Sequence, residues 1–485
     1  MKKDLVRQLL DIPQETQSVE FKRLGDASKN NVVSKTIESV VAMTNTEGGM
    51  IILGIEDPEK AEKKGVERIF GIEESLELYD ELGREISKIT PPLSNIWPPI
   101  LIPVPGTQSR IAIIQIPKAI DGFRAINNAV YIRGEKGNKR LSPQEIIHLN
   151  YAKGFSRADK ELVDADFKLL NTSYFQSWRE KRGIADTQIE TVLEKTGLAR
   201  IDEKGTLRPT RAAVLLFAEY PNDLMDTKCT IKVIQYLGKT ERIDDETINI
   251  LGTPKLVNGP IIKQIYDCHE YVLNILKTGV KVPSGFQTTY KIPERAVKEA
   301  ITNAVIHRDY YAKRDIVVRV YEDRVEIESP GLFPFNITPA NIGVQRAYGY
   351  RNDLIVKHLR EFPNPPNLDE NEGVRAMRTV MMKENLYPPA FITYPHLQDS
   401  IRVLLFNQQA PSEWDKVSQY LNTNKYIKNA EARALLHLED TVKVSRLFNR
   451  WVKQGLLMQL LPASGSKKEA RYKLASARED QLLKQ

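Results

Sequence analysis

Glu15-Thr16-Gln17-Ser18-Val19-Glu20-Phe21-Lys22 is followed, after an apolar run over 32–43, by Asn45-Thr46-Glu47-Gly48-Gly49 and then Gly54-Ile55-Glu56-Asp57. These pieces decide the fold of the first part of the chain. The apolar run reads as a helix stopped by Asn45 and the Gly pair. Residues 50–55 read as a short buried strand. A strand, a helix and a second strand bring Glu15, Glu20 and Asp57 towards one edge, with Lys22 beside them.

Composition bounds the rest. At 485 residues the chain has room for about two to four domains. Hydrophobic content of 41% with 27% charged residues is that of an ordinary globular protein. The formal charge of +7 leans towards an anionic partner, yet 70 basic against 63 acidic residues makes their distribution matter more than their sum. Cys229 and Cys268 lie far apart, form no metal-ligand spacing and point to a reducing compartment. No apolar run approaches a membrane span and the start lacks a signal-type apolar region, so a cytoplasmic protein with no membrane partner is expected.

Outward from the opening motif, residues 5–10 read as a helix ended by Pro13, and 75–89 as an amphipathic helix closed by Pro91-Pro92. Residues 100–104 and 110–116 flank Pro105-Gly106-Thr107, a hairpin signal. Tyr131-Ile132-Arg133-Gly134 sits in a further strand, and Ser142 to Glu145 has capping-box spacing. The order Glu-x-x-x-x-Glu-Phe-Lys, Asn-Thr-x-Gly-Gly, Gly-Ile-x-Asp resembles the Schlafen/AlbA-like nucleic-acid-binding module; that family commonly shows a Tyr-x-Arg-x-Gly strand where Tyr131-Ile132-Arg133-Gly134 stands, so the resemblance covers residues 1–150. That resemblance implies an AlbA-like mixed sheet that binds DNA or RNA. Because eukaryotic Schlafen relatives are nucleases through such an acidic trio, it also implies catalytic and metal-ligating roles for Glu15, Glu20 and Asp57, with Lys22 stabilising phosphoryl charge. Three hard oxygen ligands suit Mg²⁺ or Mn²⁺. The structural alternative is that Glu20 and Lys22 alternate along a strand in a salt bridge while Asp57 opens a turn.

Residues 151–200 read as a helical linker, and 201–410 as a second large unit. There, residues 296–305 form a helix bearing Glu299 and Asn303 one turn apart, followed by His307-Arg308-Asp309-Tyr310. Two strands around Glu322-Asp323 and a closing strand over 400–406 complete a layer. The string Glu-x-x-x-Asn-Ala-x-x-His-Arg-Asp-Tyr resembles the GHKL-type ATPases in a divergent form, which implies an α/β sandwich. It implies that Asn303 holds Mg²⁺ on ATP, that Glu299 orients water, that Arg308 contacts phosphate, and that Gly331 and Gly373 belong to the nucleotide loops. The Asp-x-Gly-x-Gly that recognises adenine is missing; Glu328-Ser329-Pro330-Gly331-Leu332-Phe333 stands there, and Glu372-Gly373 keeps a fragment of the later loop. Weak ATP turnover, ATP binding alone, or a decayed site used for oligomerisation remain open. A kinase-loop reading of His307-Arg308-Asp309 fails, since Arg314 occupies the position of its Asn.

Residues 411–477 read as a winged helix and 478–485 as a frayed end. A helix over 441–454 carries Lys443, Arg446, Arg450 and Lys453 on one side, with Val444, Leu447, Phe448 and Trp451 turned inward. Lys467, Lys468 and Arg471 on the wing reach phosphates. The fold class is therefore α+β and multi-domain: an AlbA-like mixed sheet module, a GHKL-like α/β sandwich and a C-terminal winged helix. The leading function is a DNA-binding regulator responsive to ATP, acting as a homo-oligomer. The alternatives are a Mg²⁺- or Mn²⁺-dependent nuclease on RNA or DNA, and an oligomerising scaffold without catalysis.

Overall fold

The computed structural model describes residues 2–25, 31–134, 137–225, 227–242, 248–279, 289–366, 373–410, 412–436, 438, 440–460 and 470–475. Glu372, Lys467, Lys468 and the 478–485 end lie outside the described residues. The architecture is α+β, and the chain forms two compact units: residues 1–148 with 411–485, and residues 149–410.

In the first unit, strand Val19–Lys22 lies parallel to Gly49–Leu53, joined by helix Val32–Thr44, and the hairpin Ile100–Pro103 and Arg110–Ile116 completes an antiparallel edge. Alternation along the first strand splits its side chains between the two faces. Val19 and Phe21 bury with Met50, Ile52, Val6 and Leu9 on one face. On the other, Ile51 and Leu53 pack against Val33, Ile37 and Val40 of the connecting helix. Glu20 and Lys22 share this second face, since they pair in register with Ile51 and Leu53. Gly49 is required by close approach: a Cβ there would overlap the Ser18 carbonyl oxygen, to which Met50 N–H donates at 2.8 Å. Ser142 and Glu145 form the expected capping box, with Glu145 N–H reaching Ser142 Oγ at 3.3 Å and Ser142 N–H reaching Glu145 Oε2 at 2.9 Å.

The tail has the order helix Ser412–Thr423, strand Ile427–Lys428, helices Asn429–Leu436 and Thr441–Lys453, then strands Leu457–Leu460 and Arg471–Leu474 in one three-stranded sheet. It docks within the first unit through Asp11: Tyr426 Oη donates to Asp11 Oδ2 at 3.1 Å, and Arg471, stacked 4.5 Å over the Tyr426 ring, donates to the Asp11 carbonyl.

The second unit is built on a six-stranded sheet whose central strands are Ile231–Gln235, Ile316–Val320, Arg324–Pro330 and Ser400–Phe406. Val325, Ile327, Val403 and Leu405 join one core with helices Ile261–Thr278, Glu294–Ile306 and Gly373–Lys383. The alternate residues of the same strands are charged and interlocked: Glu328 binds Arg319 at 2.9 Å and Arg402 at 2.8 Å, and Glu326 binds Arg324 at 2.6 Å. Residues 151–200, expected as a linker, instead belong to this core. Phe175 and Trp178 are fully buried, with ring centroids 5.4 and 5.0 Å from Phe217. Their aromatic area needs cover that a solvated connection cannot give.

Asp159 completes this packing by accepting from Leu354 N–H at 2.9 Å. Desolvation, with the Asp353 charge adding, pushes its carboxyl from 3.8 up to about 6. A raised carboxyl value means that its contribution is fully present below the unfolded value and is lost as pH rises through about 6. Asp159→Asn should therefore gain about 2 kcal/mol over wild type between pH 4 and 7, beyond any pH-independent offset. Urea unfolding of both proteins at the two pH values reads the difference.

Candidate functional site

Three places bring chemistry-bearing side chains together. The first is the acidic cluster of the opening motif. Glu20 is 3% exposed; its Oε2 lies 2.7 Å from Arg133 Nη1, Lys22 pairs with its other oxygen, and Ser39 Oγ donates to that oxygen at 3.0 Å. Asp57, also buried, accepts from Lys60 at 2.5 Å and from Glu59 N–H at 3.0 Å. Glu15 accepts from Phe21 N–H at 2.9 Å. Burial, followed by repulsion from Glu20 and more weakly from Asp57, raises the Glu15 carboxyl above its ordinary value. The three carboxylates thus share one electrostatic neighbourhood with Lys22. Among the described residues, however, no set of three His, Cys, Asp or Glu side chains is placed to hold a metal ion. The arrangement is a salt-bridged cluster rather than an open ligand set.

Asn45 and Thr46 explain why Arg133 reaches Glu20. Asn45 Nδ2 donates to the carbonyls of Arg124 at 2.7 Å and Tyr131 at 2.9 Å, and Arg133 N–H donates to Thr46 Oγ1 at 2.8 Å. The end of the connecting helix therefore fixes strand Ala129–Arg133, whose last residue covers the polar face of the first strand.

The second place is a cavity of about 360 Å³ in the second unit, lined by Glu299, Asn303, His307, Gly331 and Gly373 among largely apolar walls. Ligand pockets of this size with few convergent polar groups are the usual form of a small-molecule site. Glu299, Asn303 and His307 follow at four-residue intervals and so share one face of helix Glu294–Ile306 and its cap. A Cβ on Gly373 would lie 2.9 Å from both Glu299 Oε2 and Asn303 Nδ2, so the start of the 373–383 helix is held directly against them by the lack of a side chain. An amide oxygen and a carboxylate side by side fit the donor set of a magnesium-phosphate group. Among the described residues no lysine or arginine lines the cavity. Arg378 stands beside it: a Cβ on the lining residue Gly343 would meet its Nη1 at 3.3 Å. Desolvation lowers the Arg378 value.

Arg308 is not where the sequence reading put it. It is fully buried and donates to the carbonyls of Lys228, Ala312 and Arg314, the last at 2.5 Å. It braces the turn after the helix, and the cavity wall does not include it. His307 was passed over as part of a failed kinase motif, yet it lines the cavity.

The third place is helix Thr441–Lys453. Val444, Leu447, Phe448 and Trp451 are buried, while Lys443, Arg446, Arg450 and Lys453 are all exposed. Asp440 caps its start by accepting from Val442 N–H at 2.7 Å.

Residues 15–142 match the Schlafen AlbA_2 family model. Residues 313–405 match a second model, described as "Putative ATP-dependent DNA helicase recG C-terminal". The chain is thus an AlbA-like protein with an ATPase-like domain. The second match spans Gly331 and Gly373 but not the helix bearing Glu299 and Asn303. No curated protein matches the chain. Among solved structures, the DIP2311 protein from Corynebacterium diphtheriae aligns at 18% identity over 96% of this chain and 81% of its own, with a TM-score of 0.39. No helix among the described residues is long and apolar enough to cross a membrane.

The first unit depends on Arg133 because Glu20 is buried and Arg133 lies 2.7 Å from its carboxylate. Arg133→Met should lower stability by about 3 kcal/mol at pH 7 through the buried carboxylate left behind. Adding Glu20→Gln should recover part of the loss, which equilibrium unfolding of the single and double variants measures.

Proposed function

We propose that the protein is a DNA-binding regulator whose tail helix contacts the duplex and whose middle cavity takes a nucleotide. The observation that carries this reading is the stripe Lys443, Arg446, Arg450 and Lys453. All four are exposed, and none has a hydrogen bond or ion pair among the described residues. Charged side chains on a protein surface usually find counter-charges. Four cations aligned on one amphipathic helix of a winged helix form a face suited to phosphates in the major groove. The AlbA_2 and recG-related matches support a nucleic-acid-related role. In the cavity, Asn303 and Glu299 would hold the magnesium and phosphates of ATP, and Arg378 supplies a nearby positive charge. The bound magnesium would neutralise phosphate charge there. Cys229 and Cys268 are free and buried, in keeping with a reducing cytoplasmic setting.

Fluorescence anisotropy against duplex DNA across a salt series tests the tail. Arg446→Ala with Arg450→Ala should weaken binding at low salt and reduce the log–log salt slope by about 2, since each phosphate contact contributes about 0.9. A slope equal to that of wild type rejects the tail as the DNA reader.

A second reading, a metal-dependent nuclease, draws on the mutual reach of Glu15, Glu20 and Asp57. It predicts Mn²⁺-supported cleavage of tRNA or DNA that Glu15→Gln abolishes while leaving unfolding unchanged. Glu15 suits this test because it is only partly buried and carries no ion pair of the kind that holds Glu20. Cleavage indifferent to Glu15 belongs to another protein in the preparation.

A further inference from the structure

Among the described residues Glu299 brings the one carboxylate to the cavity wall, beside Asn303, and His307 offers a further polar group one turn along. His307 caps the helix that carries Glu299 and Asn303, and its ring lies parallel to Tyr350 at 5.6 Å and 13°. Both rings line the cavity. Among the described residues neither ring nitrogen has a hydrogen-bond partner; Nδ1 is closed off by the surrounding protein, so the partly exposed ring offers Nε2 to a ligand in the cavity. A buried polar atom left unmade is costly, and such groups in native proteins are normally satisfied by protein, water or ligand. Burial, with the Arg351 charge near it, holds the imidazole down at about 4, so the ring is neutral at pH 7 and presents one donor and one acceptor. Tyr350 fixes the plane of the ring. Tyr348, 73% exposed and also lining the cavity, stands at the opening where it can lie over a planar ligand.

We propose that His307 is the base-reading residue of this cavity: its neutral imidazole hydrogen-bonds the edge of a purine whose phosphates lie at Asn303 and Glu299. The inference rests on the nucleotide reading above and names the residue that sets its base specificity. A carboxylate only accepts, and so selects an N–H edge. An imidazole accepts and donates, and so serves the edges of adenine and guanine alike. The cavity therefore takes ATP and GTP with similar affinity.

Calorimetry with three probes, Mg-ATP, Mg-GTP and Mg-tripolyphosphate, tests this on the full chain. His307→Phe keeps the ring that packs on Tyr350 and removes both nitrogens. It should weaken ATP and GTP about tenfold, the value of one hydrogen bond, and leave tripolyphosphate unchanged. His307→Asn, which returns a donor and an acceptor, should recover part of the loss. The unchanged tripolyphosphate heat shows that the cavity is still formed. Wild-type affinity for ATP in His307→Phe, or equal losses for nucleotides and tripolyphosphate, overturns the role of His307 while the nucleotide reading stands. No heat from wild type with either nucleotide overturns both.

Discussion

Glu20 lies on the polar side of the first strand, 3% exposed, and its carboxylate is met there by cations. Lys22 comes from the same strand, while Arg133 arrives from a strand more than a hundred residues later, at 2.7 Å. That pairing ties the opening strand to the 129–133 strand, and the Asn45 and Thr46 side chains clamp the same strand to the connecting helix. Desolvating a carboxylate costs several kcal/mol, and only excellent geometry offsets it. The first unit is organised around meeting that demand, so the residues of its opening motif are spaced by packing as much as by chemistry.

The same rule separates structural from functional charge elsewhere. Arg308 and Arg351 are both fully buried, and both spend their guanidinium groups on backbone carbonyls: Arg351 donates to Tyr151 O at 2.7 Å and to Leu332 O. Each replaces a hydration shell with a fixed set of acceptors and holds an irregular turn in place. Glu326 and Glu328 are matched by Arg324, Arg319 and Arg402 across the sheet. Even so, Arg308 Nε and Nη1 and Arg351 Nε are buried without a hydrogen-bond partner among the described residues, so an orphaned atom is not by itself the mark of a binding site. By contrast, the four cations of the tail helix are exposed and make no side-chain ion pair among the described residues.

Much of this was legible in the chain because local rules are strong where apolar periodicity is clean. The 32–44 helix, the 100–116 hairpin and the amphipathic 441–453 helix follow from spacing alone. So does the shared face of Glu299 and Asn303, because an i, i+4 pair lies on one side of a helix, whereas Gly331 and Gly373 beside them came only from the family resemblance. What sequence could not give is burial at a distance. Arg308 follows the polar residues of the helix and looks like an anion contact, but its side chain turns to carbonyls brought from Lys228 and Arg314. The 151–200 segment reads as a connection because its helices are short, yet Phe175 and Trp178 find Phe217 and Phe362 only in three dimensions. Arg133 was visible as part of a strand motif. Its partner was not, since nothing local links residue 133 to residue 20.

The balance of charge in the acidic cluster bears on what that cluster can do. Three carboxylates, Glu15, Glu20 and Asp57, are set against three cations, Lys22, Lys60 and Arg133, so the local sum is 3 − 3 = 0. A phosphodiester strand gains little Coulomb energy from such a neutral patch, and a divalent metal gains access to the carboxylates only by exchanging with a cation already there. Arg133 is bound into the fold and cannot leave. Lys60 is 65% exposed in its side chain and sits on a flexible stem, so it can withdraw into water at small cost. A divalent ion would reach these carboxylates only by displacing lysine, and the cluster as it stands is closed by its own salt bridges.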